Sequence, residues 1–308
     1  MSRRSGVLLF GTLATAWGLS FPVITVGLRD LPPILFAAFR YGVAAVLLLA
    51  YVGVTAAPDE RLPTATRDIV AILAGGVFLV GANALLFVGQ QTVPSGVAAI
   101  LQGLVPIITT LWALLLLDQQ VTPTGAAGIV LGFVGVGLIV RPDPANLLDS
   151  SLLGEFYILA QVVLVALGGV LVDRAKPTIG SAALTGWSMA LGGVLLYAAS
   201  LAAGEGFAAA TFSTTAIGAI LYLGVFSTAL AFVIYFTILD RYGALETSLV
   251  AYLVPVVATV AGILVLNEQV TLATIGGFVV VFVGFALLKR RQLADLLESS
   301  RAVPGPGD

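Results

Sequence analysis

Two stretches of the sequence, "LVPIITTLWALLLLDQQVT" at 104–122 and "LVPVVATVAGILVLNEQVT" at 253–271, carry the same landmarks in the same order. Pro106 and Pro255 are 149 positions apart, and the Gln-Val-Thr triplets that end both stretches keep the same spacing. The match needs no gap. Chance similarity between two apolar segments does not produce such an alignment, so the sequence predicts an internal repeat.

The composition of the chain is that of a membrane protein. Of its 308 residues, 59% are hydrophobic and only 10% are charged, and the mean hydropathy is +1.09. A soluble domain is about one quarter charged. A water-soluble globule cannot bury this much apolar surface, so we expect the lipid bilayer to be the solvent of most of the chain.

Several classes of function are not supported by the sequence. The chain has no cysteine and no histidine, which removes thiolate chemistry, disulfides and the usual ligand of transition metals. It has no HExxH or GxSxG motif and no ATP-binding P-loop. We therefore predict neither an enzyme nor a primary pump, with no metal, no cofactor and no nucleic-acid partner; the expected partners are a small-molecule substrate and the lipid bilayer.

Ten segments are long and apolar enough to span a bilayer as helices, each with about 20 residues. Short polar stretches separate them. The fifth and tenth are short and rich in glycine, so a re-entrant segment is the alternative there. The predicted spans are 6–28, 33–52, 69–89, 95–117, 123–140, 151–172, 180–202, 214–237, 244–266 and 271–288.

The positive charges predict the orientation of these spans. With a cytoplasmic N-terminus, eleven of the 14 Lys and Arg residues fall on the inside, two fall on the outside, and Arg40 lies within a span. Positive residues favour cytoplasmic loops. We therefore predict that both termini are cytoplasmic in a multi-pass protein of the cell membrane. The inside residues are Arg3, Arg4, Arg61, Arg67, Arg174, Lys176, Arg241, Lys289, Arg290, Arg291 and Arg301, and the outside residues are Arg29 and Arg141.

The repeat has a defined geometry in this topology. Its copies cover the fourth and fifth spans and the ninth and tenth spans, so five spans separate them. Since an odd number of spans reverses direction, the two halves are predicted to be inverted copies, as in alternating-access transporters. The predicted units are a first repeat at 1–145, a second repeat at 146–291 and a cytoplasmic tail at 292–308. The predicted fold is all-α, with ten transmembrane helices in two inverted five-helix repeats.

Specific motifs add a family resemblance. The chain contains "TAWGLSFPV" at 15–23, Arg40 in the second span, "VPSGVAAILQGLVP" at 93–106 and "GALETSLVAYLVP" at 243–255, followed by a glycine-rich last span. With these motifs the chain resembles the EamA-type members of the drug/metabolite transporter superfamily, from about Gly6 to Arg291. The resemblance implies a ten-helix carrier, often an exporter of amino acids or other small metabolites.

One feature departs from the family pattern. The family often has a Leu-Gly-Glu triplet after the fourth and ninth spans. Here the second copy reads Leu266-Asn267-Glu268 and the first reads Leu117-Asp118-Gln119. Any role that requires a glutamate in both copies is therefore not expected.

Polar side chains inside the spans are the candidate binding residues. Hydrocarbon offers no hydrogen-bond partner, so such residues face the interior of a helix bundle by default. The alternative is that they only join two helices. The predicted substrate-binding residues are Trp17, Asn83, Gln102, Gln161 and Tyr252, with Tyr222 and Tyr235 as weaker candidates.

Arg40 lies about 10 Å below the outer end of its span. A charge at this depth is costly unless it is paired. We predict an ion pair with Glu155 or Glu268, which would fix helix positions or form a gate. The alternative is that Arg40 is the counter-charge of a substrate carboxylate.

Prolines and glycines complete the pattern. Pro106 and Pro255 are predicted to kink the fourth and ninth spans and to free the carbonyls of residues 102 and 251. The glycines of the fifth and tenth spans, including Gly135 and Gly284, predict close helix packing within one monomer. A weak homodimer through the same glycines is the alternative.

The sequence as a whole predicts a secondary transporter that exports small polar or amphipathic metabolites, with amino acids as candidate solutes. A flippase of lipid-linked sugars or another amphipathic lipid is the alternative, and it would need a groove open to lipid. The acidic candidates for ion coupling all lie near span ends, so no coupling ion is predicted. These candidates are Asp118, Glu155, Glu246 and Glu268.

Overall fold

The computed structural model describes residues 3–117, 119–140, 150–243, 247 and 250–290. Across these ranges all regular secondary structure is helical. Eight helices are long and apolar enough to cross a membrane, and two further apolar helices are slightly shorter. The eight are α1 (Gly6–Gly27), α2 (Pro33–Thr55), α3 (Thr66–Gly89), α4 (Ser95–Leu116), α5 (Pro123–Val140), α6 (Ser151–Ala175), α7 (Ser181–Ala202) and α8 (Thr214–Tyr242), and the two shorter helices are α9 (Val250–Leu266) and α10 (Leu272–Leu288).

The helices coincide with the predicted segments, except at some ends. The second segment was expected to end at residue 52 and the eighth at residue 237, but α2 runs to Thr55 and α8 to Tyr242. The polar residues Asp240 and Arg241 belong to the last turn of α8. A helix can continue beyond its apolar segment as long as its backbone hydrogen bonds are made. The predicted tail at 292–308, Asp118 and Glu246 lie outside the described residues.

Four of the described helices are interrupted near their middles. α1 consists of two parts that are separated at Leu19. α3 contains a π-helical turn at Gly75–Gly81, and α8 contains one at Tyr222–Leu230. α4 consists of two parts, Ser95–Gln102 and Val105–Leu116, which are separated by a tight turn. Interruptions of this kind occur frequently at functional sites.

The two matching prolines have different effects on their helices. Pro106 lies in the first turn of the second part of α4, directly after the break. A proline is tolerated there because the first N–H groups of a helix have no intrahelical partner. Pro255 instead lies inside α9, which continues unbroken from Val250 to Leu266. Equal positions in the sequence therefore give a break in one helix and an uninterrupted helix in the other.

The helix contacts occur in matching sets. We call α1–α5 the first half and α6–α10 the second half. The most extensive contacts join α5 to α10 and α2 to α7. In addition, α1 packs on α9, and α6 packs on α4 in the corresponding way. Likewise, α2 packs on the π turn of α8, and α7 packs on the π turn of α3. Each of these contacts between two helices therefore has a counterpart between the two helices that lie five places away in the helix order.

Glycines allow α5 and α10 to touch along their backbones. A Cβ atom added to Gly135 would lie 2.8 Å from the carbonyl oxygen of Gly277, and one added to Gly277 would lie 2.7 Å from that of Gly135. Real Cβ atoms essentially never approach so closely. The predicted packing of these glycines within one monomer is therefore what the structure contains.

Glu268, between α9 and α10, binds the start of α4. Its Oε1 accepts a hydrogen bond from the backbone N–H of Ser95 at 2.8 Å, and its Oε2 accepts from Ser95 Oγ at 2.9 Å and from the Gly96 N–H at 3.3 Å. These N–H groups have no partner within the helix, and negative charge is favourable at a helix N-terminus. Glu268 therefore joins the second half to α4.

Two other carboxylates join the halves in the same way. Glu205, between α7 and α8, accepts hydrogen bonds from the N–H groups of Ile34 and Leu35 at the start of α2, both at 2.9 Å. Asp68, in the first turn of α3, accepts from the N–H of Thr178 at 2.6 Å and from its hydroxyl at 2.9 Å. These contacts hold helix ends of one half against the other half.

Candidate functional site

A cavity of about 210 Å³ lies at the level of the helix interruptions. Five helices line it, and four of these belong to the first half. Among the described residues, the second half contributes to the lining through α9. The lining residues are Trp17, Ser20, Phe21, Arg40, Asn83, Leu86, Ala99, Gln102, Ala251 and Val254.

Four of the predicted site residues lie at this cavity or next to it. Trp17, Asn83 and Gln102 line it directly. Gln161 of α6 is buried, and its Oε1 accepts a hydrogen bond from Gln102 Nε2 at 2.6 Å. The amide pair joins the broken helix α4 to the second half, so the predicted roles of binding residue and of helix connector meet at the same two side chains.

Trp17 forms an apolar wall of the cavity, and other aromatic rings hold it in place. Its ring centroid lies 5.6 Å from that of Tyr235 and 6.0 Å from that of Phe232, both on α8. Aromatic pairs at this separation contribute about 0.5–1.5 kcal/mol beyond the burial of their area. Tyr235 therefore supports Trp17 from behind and is not among the residues that line the cavity.

Asn83 begins the last part of α3, shortly after the π turn. Its Nδ2 donates a hydrogen bond to the carbonyl oxygen of Leu79 at 2.7 Å. The side chain is buried, and it lines the cavity. The irregular turn thus fixes the direction of the amide, and the amide oxygen remains as an acceptor for a ligand.

The two prolines act on backbone carbonyls at the cavity. Because Pro106 and Pro255 have no N–H, the carbonyls four residues earlier, at Gln102 and Ala251, cannot accept the usual helical hydrogen bond from them. Gln102 and Ala251 both line the cavity. Residues 102 and 251 therefore lie at the cavity, and the exposure of their carbonyl oxygens to it stays a prediction.

Arg40 of α2 is buried, with 8% of its surface exposed, and it lines the same cavity. Its Nε donates to Thr228 Oγ1 at 2.9 Å, and its guanidinium carbon lies 5.2 Å from the centroid of the Tyr41 ring. The predicted ion pair with Glu268 is wrong, because both oxygens of Glu268 are bound at the start of α4. Glu155 is half-buried near the start of α6 and has contacts of its own, and the described contacts of Arg40 do not include it.

Tyr252 lies away from the cavity. It is buried against α10, with its ring centroid 4.4 Å from that of Phe285 and 5.2 Å from that of Phe282. Its hydroxyl is buried and has no hydrogen-bond partner. Its helical neighbours Ala251 and Val254 line the cavity instead, because the rotation of α9 points Tyr252 to the opposite side.

Tyr222 lies at a second cavity, an apolar groove of about 520 Å³ between α1 and α8. Its hydroxyl donates to the carbonyl oxygen of Ala16 at 3.3 Å. The groove follows α1 from Val7 to Leu19, and its lining is almost entirely apolar. Tyr222 is therefore a groove residue, separate from the cavity that Trp17 lines.

Sequence reasoning did not identify Ser20 and Thr228 as site residues. Ser20 lines the cavity and donates its hydroxyl proton to the carbonyl oxygen of Trp17. Thr228 lies in the π turn of α8 and is fully buried. A small hydroxyl residue in an apolar span gives little signal. Gly75 and Gly76 at the π turn of α3, and Gly224 in the π turn of α8, were the signal that the sequence offered for these irregular turns.

The described residues form eight apolar helices long enough to cross a membrane and two shorter ones, with a small internal cavity among them, which indicates a multi-pass membrane protein. The class that combines these features is the membrane transporter. The model of the EamA-like transporter family matches the chain twice, over residues 4–141 and 152–290. The chain therefore belongs to the EamA-like transporter family, and the resemblance to EamA-type drug/metabolite transporters is confirmed.

Individual relatives agree with this membership. An uncharacterized inner membrane transporter of Escherichia coli, YedA, is 28% identical over 85% of this chain and 84% of its own length. A probable amino-acid metabolite efflux pump of Escherichia coli is 26% identical over 92% of this chain and 94% of its own. One crystal structure matches with a TM-score of 0.65 at 19% identity, covering 96% of this chain and all of its own, which shows the fold alone.

Proposed function

We propose that the protein is a secondary transporter that moves small metabolites by alternating access through two inverted five-helix repeats, the first at 1–145 and the second at 146–291. The observation that carries the proposal is the central cavity, which is lined by residues next to the interruptions of α3 and α4 and by Val254, the neighbour of Pro255 in α9. Transporter sites form at interrupted helices near the midplane, where two repeats meet.

The packing of the helices supports the repeat. Contacts between α1 and α9 match those between α6 and α4, and the π turns occupy α3 and α8, five helices apart. A pair of inverted halves accounts for all of these correspondences at once. With ten spans, both termini lie on the cytoplasmic side of a cell membrane, as the positive charges of the loops favour.

The orientation is tested by cysteine labelling, since the native chain has no cysteine. Thr64 and Gln91 are both exposed and lie at opposite ends of α3. In intact cells, an impermeant thiol reagent should label the Gln91→Cys variant and leave the Thr64→Cys variant unlabelled. The opposite pattern would reverse the proposed topology.

The site chemistry suits a solute that is partly polar and partly apolar. Trp17 and Phe21 offer aromatic surface, while Asn83 and Gln102 offer neutral amides. One relative is named as a probable amino-acid metabolite efflux pump. We therefore propose amino acids or related solutes as substrates, and export as the direction, with the protein acting as a monomer or a weak homodimer.

The site is tested by comparing three glutamines. Gln102→Ala and Gln161→Ala should weaken the binding of transported solutes by up to about tenfold, since each removes a hydrogen bond worth about 0.5–1.5 kcal/mol. Gln90 is the control, because it is as buried as Gln161 and donates instead to the carbonyl oxygen of Phe21 at 3.1 Å. Gln90→Ala should lower the melting temperature and leave affinity unchanged.

Transported solutes are first identified by uptake of an amino-acid and metabolite panel into inside-out vesicles. Melting temperature and affinity are then measured for each variant. Wild-type affinity in both the Gln102 and Gln161 variants, together with a lower melting temperature, would assign the pair to helix packing and remove it from the site.

The alternative function, flipping of an amphipathic lipid, has its own supporting observation. The apolar groove between α1 and α8 is about 520 Å³ and has Thr12, Thr15 and Tyr222 as its polar members. If lipids are the substrate, replacing Gly11 with tryptophan should block transport by filling the groove. Unaltered solute transport in the Gly11→Trp variant would favour the central cavity as the only route.

A further inference from the structure

We infer that the transported solute carries a carboxylate, and that the guanidinium of Arg40 binds it in the central cavity. This inference rests on the proposed function, because it names the substrate class of the same cavity. The sequence left two roles open for Arg40, an ion pair within the protein and a counter-charge for a substrate carboxylate, and the inference selects the second.

Arg40 is a buried charge that cannot be neutralised by losing its proton. Arginine stays protonated in proteins. Burying a charge is costly unless it is paired and hydrogen-bonded. Only two charged residues are buried among those whose surroundings the structure describes, Arg40 and Asp68. Asp68 is held by Thr178 at the start of α7, so it does not balance Arg40.

Arg40 has fewer bonds than its chemistry allows. Its Nε donates to Thr228, and the Tyr41 ring lies against the guanidinium. Within the described part of the chain no carboxylate reaches ion-pair distance of Arg40. The two terminal nitrogens are therefore left for the cavity, which Arg40 lines.

Two carboxylates from the same end of the bundle, Asp30 and the predicted partner Glu268, are bonded to other groups. Asp30 accepts a hydrogen bond from the hydroxyl of Ser213, and Glu268 accepts from Ser95. A carboxylate supplied by the ligand is the natural partner, since the guanidinium fork binds a carboxylate through two parallel hydrogen bonds.

The remaining walls define the rest of the ligand. Trp17, Phe21 and Leu86 present aromatic and aliphatic surface, and Asn83 and Gln102 present amides. A cavity of about 210 Å³ is smaller than the roughly 300–1,000 Å³ typical of drug-sized ligands. The ligand class is a small organic carboxylate with an apolar or aromatic substituent, which includes zwitterionic amino acids.

The experiment compares probes that differ only in charge. Benzoate is paired with benzamide, and L-phenylalanine with L-phenylalaninamide. The wild-type protein, purified in detergent, should be stabilised against heat by both carboxylates and little by either amide. In proteoliposomes the carboxylates should compete for transport at concentrations about 10 to 100 times lower than the amides, as expected for the loss of a charge-assisted hydrogen bond.

Two substitutions assign the preference to Arg40. Arg40→Gln should remove the preference for carboxylates, and Arg40→Lys should restore part of it. The control is Arg67→Gln, because Arg67 is exposed at the start of α3. A carboxylate preference that persists in Arg40→Gln, or equal binding of amides and carboxylates by the wild type, would overturn the inference.

A labelling experiment separates this inference from the proposed function. Ala99 lines the cavity, so a thiol reagent reaches an Ala99→Cys variant only through it. If neutral solutes of the panel are transported and protect this cysteine, independently of Arg40, the carboxylate inference fails and the proposed function stands. If no solute is transported or protects the cysteine, both fail.

Discussion

The charges at the helix ends and the charge in the cavity differ in how completely the protein binds them. Glu268 accepts three hydrogen bonds from Ser95 and Gly96, and Glu205 accepts two from the start of α2. Arg40, which is more deeply buried than either, donates one side-chain hydrogen bond. The comparison teaches that the carboxylates that fix helix ends are bonded by the protein itself. The guanidinium of Arg40 at the cavity keeps unused donors, which a ligand can bind.

The largest expected effect is at Glu268. Glu268→Ala removes three hydrogen bonds and leaves the first N–H groups of α4 without a partner, so we expect a loss of about 3 kcal/mol in unfolding free energy. Denaturant unfolding in mixed micelles measures this loss. Glu60→Ala is the control, because Glu60 is exposed in the loop between α2 and α3. Equal stability of the two variants would contradict the structural role of Glu268.

A smaller loss is expected at Glu205. Glu205→Ala removes two hydrogen bonds to the start of α2, and the loss of a helix cap costs about 0.5–2 kcal/mol. Glu205→Gln should recover part of this, since the amide oxygen can still accept one of the bonds. If the alanine variant unfolds like the wild type, the carboxylate does not fix the end of α2.

Arg40 should behave in the opposite way. Removing an unpaired buried charge relieves a desolvation cost. In Arg40→Gln we therefore expect unfolding free energy to stay within about 0.5 kcal/mol of the wild type or to rise. Glutamine can still bond to Thr228. A loss of several kcal/mol would instead identify Arg40 as a structural charge with a partner, and would break the comparison.

The smallest effect is expected at Thr228. Thr228→Val removes one hydrogen bond to Arg40 at nearly constant volume, which should cost about 1 kcal/mol or less. If the hydroxyl aims the guanidinium, carboxylate affinity should fall while binding of the matched amides is unchanged. Thr237→Val in the same helix is the control, because the Thr237 hydroxyl donates only to the backbone oxygen of Val233. An equal change in affinity for the carboxylates and the matched amides would instead show that Thr228 acts through packing alone.

The helices and their order could be predicted from the sequence, because about 20 apolar residues are needed to cross a bilayer. The similarity of the two halves could also be seen in the sequence, since Pro106 and Pro255 stand 149 positions apart within matching stretches. The position of Gln102 near the centre of its span predicted a buried, polar role. What the spacing could not supply was its partner, because Gln161 is 59 residues away in sequence.

The rotation of each helix could not be predicted. A membrane helix is apolar on all sides, so the periodicity that identifies the buried face of a soluble helix is weak. Tyr252 was therefore assigned to the cavity although α9 turns it toward α10. The partner of Glu268 was missed for a related reason: it is a backbone N–H group, and no side-chain pattern in the sequence marks it.

The glycine contact between α5 and α10 has a mechanical consequence. Where Gly135 meets Gly277, backbone touches backbone, and the side chains of Val281 and Ile139 pack directly against the two glycines. Separating the helices would open a void that lipid cannot fill, whereas rotation about the contact keeps the surfaces together. The contact between α5 and α10 is suited to act as a pivot, and we expect the two halves to rotate about it when they move relative to each other.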